Sequence, residues 1–183
     1  NNDNVLIKKF NLEYFYSSNR LFLKSLQETN YENGNSLTIP AYKFNYDTAV
    51  HLPARLSYAQ DKWGYYNGKT TNWTSIPTPP LASIYPSLTL ADRRVDSNYA
   101  KAGMLNGIAY PTGGKTSFEF ECNRIGIDSL IGGQRIRKIT HFDSVAQKSI
   151  ITEYKYVTQS GYSSGGMGSN PVFDYSLMHI SNS

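Results

Sequence analysis

The chain has 183 residues, of which 39% are hydrophobic, 14% aromatic and 17% charged, with a formal net charge of +4. That length suffices for one ordinary domain with a core, or for part of something larger. The low charge excludes a solvated helical bundle and an acidic disordered chain. Basic residues gather only at Arg93–Arg94 and at Arg135, Arg137 and Lys138. This is not the dense one-sided patch of a nucleic-acid binder, so nucleic acid is not expected as a partner. Cys122 is the single cysteine, which excludes an intrachain disulfide and a multi-cysteine zinc site.

Fifteen tyrosines, with Thr and Gly, favour strands and turns. No apolar run is long enough to cross a bilayer, and residues 1–20 do not resemble a signal peptide. The sequence, starting at Asn1 and stopping at Ser183, reads as one β-rich segment excerpted from a longer chain.

Residues 1–47 predict a strand meander. Phe10, Leu12, Tyr14 and Tyr16 alternate with Asn11, Glu13 and Phe15, the period of a strand. Ser17-Ser18-Asn19 breaks it, and RLFLKSLQE follows as an antiparallel partner. Asn33-Gly34 is a turn signal because both residues tolerate positive φ. Tyr42, Phe44 and Tyr46 then mark a third strand.

Residues 48–95 form an irregular crossover rich in Pro, Gly and aromatics, where PTPP excludes helix. Residues 96–110 predict one short helical turn, capped by Asp96 or Ser97 and ended by Gly103 or Gly107. Residues 111–160 predict β-hairpins. One Gly-Gly turn stands before Phe118, Phe120 and Cys122, another Gly-Gly pair opens GGQRIRKITHFD, and Tyr154 and Tyr156 share a face at the end of SIITEYKYV. Residues 161–183 read as a Gly/Ser-rich loop and tail. The expected fold is mainly β: antiparallel hairpins and meanders of an extended or spiralling sheet, with at most one short helix.

Within the crossover, Asp61, Trp63, Tyr65, Tyr66, Asn67 and Trp73 form the one aromatic-polar constellation. It admits two readings. As a ligand site, the rings stack on a glycan while Asp61 and Asn67 hydrogen-bond it. As an anchor, Gly64 and Gly68 allow sharp turns, Asp61 accepts backbone amides, and Trp63 with one of Tyr65 or Tyr66 plugs the sheet. The anchor is favoured, because aromatic rings with polar handles are more commonly buried.

The remaining motifs fail in context. GGKT (Gly113–Thr116) resembles the end of a phosphate loop, but Ala109 stands where that loop needs Gly, and SFEFE reads as strand rather than helix. GYSSG (Gly161–Gly165) matches a nucleophile elbow at Ser163, with Asp174 and His179 downstream, but no helix start follows. His51, His141 and His179 lack ligand spacing, so no metal is expected. Glu119 and Glu121 share a strand face and read as a solvated pair rather than a catalytic one. No catalytic residue and no cofactor is expected.

The segments RLFLKSLQE, YKFNYD, LPARLSYAQDKWGYYNGK, DRRVDSNYAKAGMLNGIAYPTGGKTSFEFE, GGQRIRKITHFD and YKYVTQSGYSSG occur in this order from Arg20 to Gly165. Together they resemble large Rhs-like, YD-repeat-related surface or secreted proteins of Bacteroidota, in the part upstream of the Rhs core. DKWGYYNG and YAKAGMLNGIAYPTGG are the most specific pieces. The resemblance implies a long sheet wound into a spiralling shell that can enclose a C-terminal toxin. It also implies a secreted or cell-surface location on the outer-membrane exterior, with type IX export as one route. Two family marks are absent: there is no Asp-Pro cleavage step and no repeated YD series. Self-cleavage and toxin activity are therefore not assigned to this piece.

In such an exported protein, Asp47-Thr48-Ala49, Asp128-Ser129-Leu130 and Asp143-Ser144-Val145 fit the short O-glycosylation pattern of that phylum, at Thr48, Ser129 and Ser144. Three functional readings follow. The first is a non-catalytic scaffold segment paired with other parts of its parent chain. The second is an adhesin-like or glycan-binding module built on Trp63, Tyr65 and Tyr66. The third is a partner or cargo of the secretion machine.

Overall fold

The computed structural model describes residues 6–18, 20–78, 90–127 and 129–166. The strands are β1 (Lys8–Ser17), β2 (Arg20–Glu32), β3 (Asn35–Thr38), β4 (Tyr42–Tyr46), β5 (Leu105–Ala109), β6 (Lys115–Ile125), β7 (Ser129–Asp143) and β8 (Lys148–Glu153). They form one sheet in the order β1-β2-β4-β5-β6-β7-β8, with β3 paired to β2 beside that path. The chain is mainly β and its sheet is antiparallel. Among the described residues no helix is long and apolar enough to cross a membrane.

Chain contacts divide the molecule into two units. The first comprises residues 1–52, 102–120 and 136–155, and the second residues 53–101, 121–135 and 156–183.

In the first unit, β1 and β2 make a hairpin whose turn places Ser18 at φ +50°. Asn33 (φ +48°) and Gly34 (φ +79°) close the β2–β3 hairpin, the left-handed pair that a tight two-residue turn requires. The long β2 carries β3 opposite Thr29–Glu32 and β4 opposite Ser25 and Leu26. Between β3 and β4 comes Pro40, which has no N–H to give a ladder. Phe15 stacks on Phe22 at 5.1 Å, and Tyr46 meets Phe22 edge-on at 4.9 Å. The Tyr46 hydroxyl donates to the Leu23 carbonyl at 2.9 Å, which satisfies the polar end of that ring. At GGKT, Gly113 has φ +89° and Tyr110 N donates to Gly114 O, so the segment is the β5–β6 turn.

Two expectations need correction. Of the helical turn expected over 96–110, only a single turn forms. Asp96 Oδ1 accepts the Asn98 and Tyr99 amides and Ala100 N donates to Asp96 O, after which Gly103 (φ +74°) ends it. Residues 105–109 are strand, because β5 gains a ladder on each side, with β4 and with β6. The second Gly-Gly pair is no turn either: Gly132 and Gly133 lie buried inside β7.

Among the described residues, the buried apolar side chains Ala59, Leu90, Ala91 and Cys122 lie in the second unit. In the first, Phe10, Leu12, Tyr14, Tyr16, Leu21, Leu37, Ile150 and Ile151 remain exposed.

Candidate functional site

The aromatic-polar constellation lies in the second unit and is built from a tight loop. Gln60 and Tyr66 form an antiparallel bridge. On either side of it, Asp61 N donates to Tyr65 O at 2.8 Å and Asn67 N to Ala59 O at 3.2 Å. Gly64, at φ +92°, lets the chain reverse between them.

Asp61 is fully buried. Its Oδ1 accepts the Trp63 amide at 2.8 Å and the Tyr65 amide at 3.0 Å, the pattern by which an Asp side chain substitutes for a backbone acceptor in a turn. Its carbonyl accepts the Arg93 guanidinium through Nε at 2.9 Å and Nη2 at 2.5 Å, and the same guanidinium reaches Ser75 O. Oδ2 is buried without a hydrogen-bond partner. Burial pushes the Asp61 carboxyl above its ordinary value, against the opposing pull of the Tyr65 and Trp63 amides and of Arg93.

Asn67 is also fully buried. Its Nδ2 donates to Asp92 O at 2.9 Å and Arg94 O at 3.0 Å, while its Oδ1 accepts the Lys69 amide. Asn72 repeats the device: Nδ2 donates to Asp92 O and Oδ1 accepts Asp92 N, both at 3.0 Å. Two asparagines thus give the 92–94 segment the hydrogen bonds that a neighbouring strand would otherwise supply.

The aromatic rings divide by exposure. Trp63 is half-buried over β7: a Cβ added to Gly132 would lie 2.5 Å from Trp63 Cβ. A Cβ on Gly133 would come within 3.2 Å of the Tyr65 hydroxyl. Tyr66 packs edge-on against Tyr99 at 5.2 Å, and the Tyr99 ring also lies against Gly68. Trp73 stands 66% exposed and Tyr65 44%. Cys122 is buried, its Sγ accepting Gln134 Nε2, and burial pushes its thiol up.

The loop can therefore hold a chain segment in place, but Asp61 and Asn67 are turned inward and do not face solvent. Sequence reasoning missed Asn72, Arg93 and the Gly132–Gly133 seat. The one available signal was a glycine pair inside an alternating strand, which marks close approach of another group.

The other sites of interest are dispersed. Glu121 pairs with Arg135 at 2.8 Å, and Glu119 pairs with Lys138 at 2.5 Å and with Arg137, so each carboxylate faces a cation. Ser163 donates its hydroxyl to Arg124 O at 2.7 Å, while Asp174 and His179 lie outside the described residues. His141 Nδ1 and the Tyr110 hydroxyl both lie 2.9 Å from Thr116 Oγ1. A cavity of about 590 Å³ beside His141 is lined in part by Phe142, Lys148 and Ile150. Among the described residues no three His, Cys, Asp or Glu side chains gather to hold a metal. Thr48 and Ser129 are exposed, whereas Ser144 is half-buried and donates to Thr112 O at 3.3 Å.

Comparison of the chain with protein-family models, with curated proteins and with solved structures finds no match.

Proposed function

We propose that this chain is a non-catalytic β-scaffold segment of a secreted or cell-surface Rhs-like protein, a segment whose sheet is completed by strands from its parent chain or a bound partner. The observation that carries the reading is the inward orientation of Asp61 and Asn67. Both are fully buried and both hydrogen-bond backbone groups. A glycan site on this loop would need those groups at its surface. The exposed apolar side chains of the first unit support the same reading, because a sheet with uncovered apolar faces gains stability from added layers or strands. The Rhs-like affiliation, the surface location and type IX export rest on the sequence resemblance.

The test is paired. Asn67→Ala and Trp63→Ala are compared with the wild type for unfolding free energy and for binding on a glycan array. The scaffold reading expects lowered stability and no glycan that the wild type alone retains.

A second reading keeps one observation of its own. Trp73 and Tyr65 present exposed rings from the same loop region, as a stacking platform for sugars would. Glycan binding abolished by Trp73→Ala, with stability unchanged, would establish that reading instead.

A further inference from the structure

We infer that β1 is a self-complementary docking edge, which pairs antiparallel with β1 of a second copy of this chain. The inference rests on the reading that added strands complete the sheet, and it names the occupant of one edge.

Among the described residues the sheet path ends at β1, and every residue from Lys8 to Tyr14 is exposed. The phase of its backbone is fixed. Tyr31 N donates to Ile7 O, and Lys8 lies opposite Asn30, so Ile7, Lys9, Asn11 and Glu13 turn their backbone groups toward β2. Lys8, Phe10, Leu12 and Tyr14 turn theirs outward. The register shift after Glu13 skips Lys24 and so belongs to β2, which leaves β1 without an extra residue of its own. Nor does β1 contain a proline to block pairing.

Charge selects the register. With Asn11 opposite Asn11 of the second copy, Lys9 falls opposite Glu13 and Glu13 opposite Lys9. Phe10 then faces Leu12 and Lys8 faces Tyr14. The hydrogen-bonded positions of this ladder are Phe10–Leu12 and Lys8–Tyr14, the residues whose backbone groups point outward. Centring the pair on Leu12 sets Lys9 against Phe15, and centring it on Glu13 or Lys9 sets like charges together, which is destabilising. The other end of the sheet lacks this property. Tyr154 N donates to Arg137 O, so Ser149, Ile151 and Glu153 of β8 turn outward. Lys148 and Glu153 then lie on opposite phases and cannot face each other in a self-pair.

The test uses the 183-residue chain in sedimentation equilibrium and in disulfide trapping. Asn11→Cys places two thiols at a non-hydrogen-bonded position, where Cα atoms lie about 4.5 Å apart, within disulfide reach. Under a mild oxidant it is expected to form a covalent dimer, and Ser17→Cys is not. Lys9→Glu should weaken dimerisation about tenfold, and Lys9→Glu with Glu13→Lys should restore most of it. Leu12→Pro removes an outward N–H without touching the β2 ladder, and should abolish the dimer while circular dichroism keeps its strand signal. A wild type that stays monomeric with slowly exchanging Phe10 and Leu12 amides would overturn self-pairing but keep the reading of strand completion. A monomer whose β1 amides exchange freely at all concentrations would overturn both.

Discussion

Trp63 lies against Gly132: a Cβ added there would sit 2.5 Å from Trp63 Cβ and 2.8 Å from Cγ. The indole approaches the backbone of β7 at a point where any other residue would hold it off. Aromatic ring and glycine are thus two halves of one contact, joined across a long stretch of sequence.

Gly132→Ala should therefore destabilise the chain by about 1–3 kcal/mol, the range for overpacking a fitted contact. Gly126→Ala is a different control, because nothing lies within 4 Å of its added Cβ and its cost comes from φ +60° alone. Urea unfolding of both variants, with Trp fluorescence as the probe, separates the steric cost from the conformational one.

Asp61→Asn and Asp61→Ala should differ. Asn keeps an oxygen for the Trp63 and Tyr65 amides, whereas Ala leaves both amides without their acceptor. The Ala variant should lose about 2–4 kcal/mol and the Asn variant about 1 kcal/mol. Equal losses in denaturant unfolding would mean that the carboxylate's charge, not its acceptor role, holds the loop.

Acid stability follows from Asp92. The Arg94 guanidinium beside it holds its carboxyl at about 2, below the ordinary 3.8. A carboxyl depressed on folding contributes fully above its unfolded value, and that contribution is lost as pH falls through about 2. Asp61 acts in the opposite sense, since burial raises it and ionisation disfavours the folded loop. Arg94→Ala should flatten the decline in urea midpoint between about pH 4 and pH 2. A decline as steep as in the wild type would place the acid sensitivity elsewhere.

Much of the fold is local enough to read from sequence. Phe10 to Tyr16 and Tyr42 to Tyr46 alternate with period two, and Asn33-Gly34 carries its own turn chemistry. What could not be read depends on distant partners. Ala100, Met104 and Leu105 have helical propensity, and the two ladders of β5 override it over 105–109. β3 is four residues with one apolar side chain, and only β2 makes it a strand. Asp61 as an amide acceptor was legible, since Asx turns are local. Its contact with Arg93 and the roles of Asn72 and Gly132 were not, because each joins positions far apart in the chain.

Trp73→Ala should leave stability within about 0.5 kcal/mol, as expected for a residue that stands 66% exposed at the surface. Thermal unfolding checks this, and a large loss would mean that the ring is covered in solution.

The most direct test of the structural role of the Asp61–Asn67 loop is the unfolding free energy of Asn67→Ala. The expected loss is about 2–3 kcal/mol, because the Arg94 carbonyl loses the amide that Asn67 donates to it and the Asp92 carbonyl is left with Asn72. Wild-type stability, accompanied by loss of a specific glycan, would contradict it.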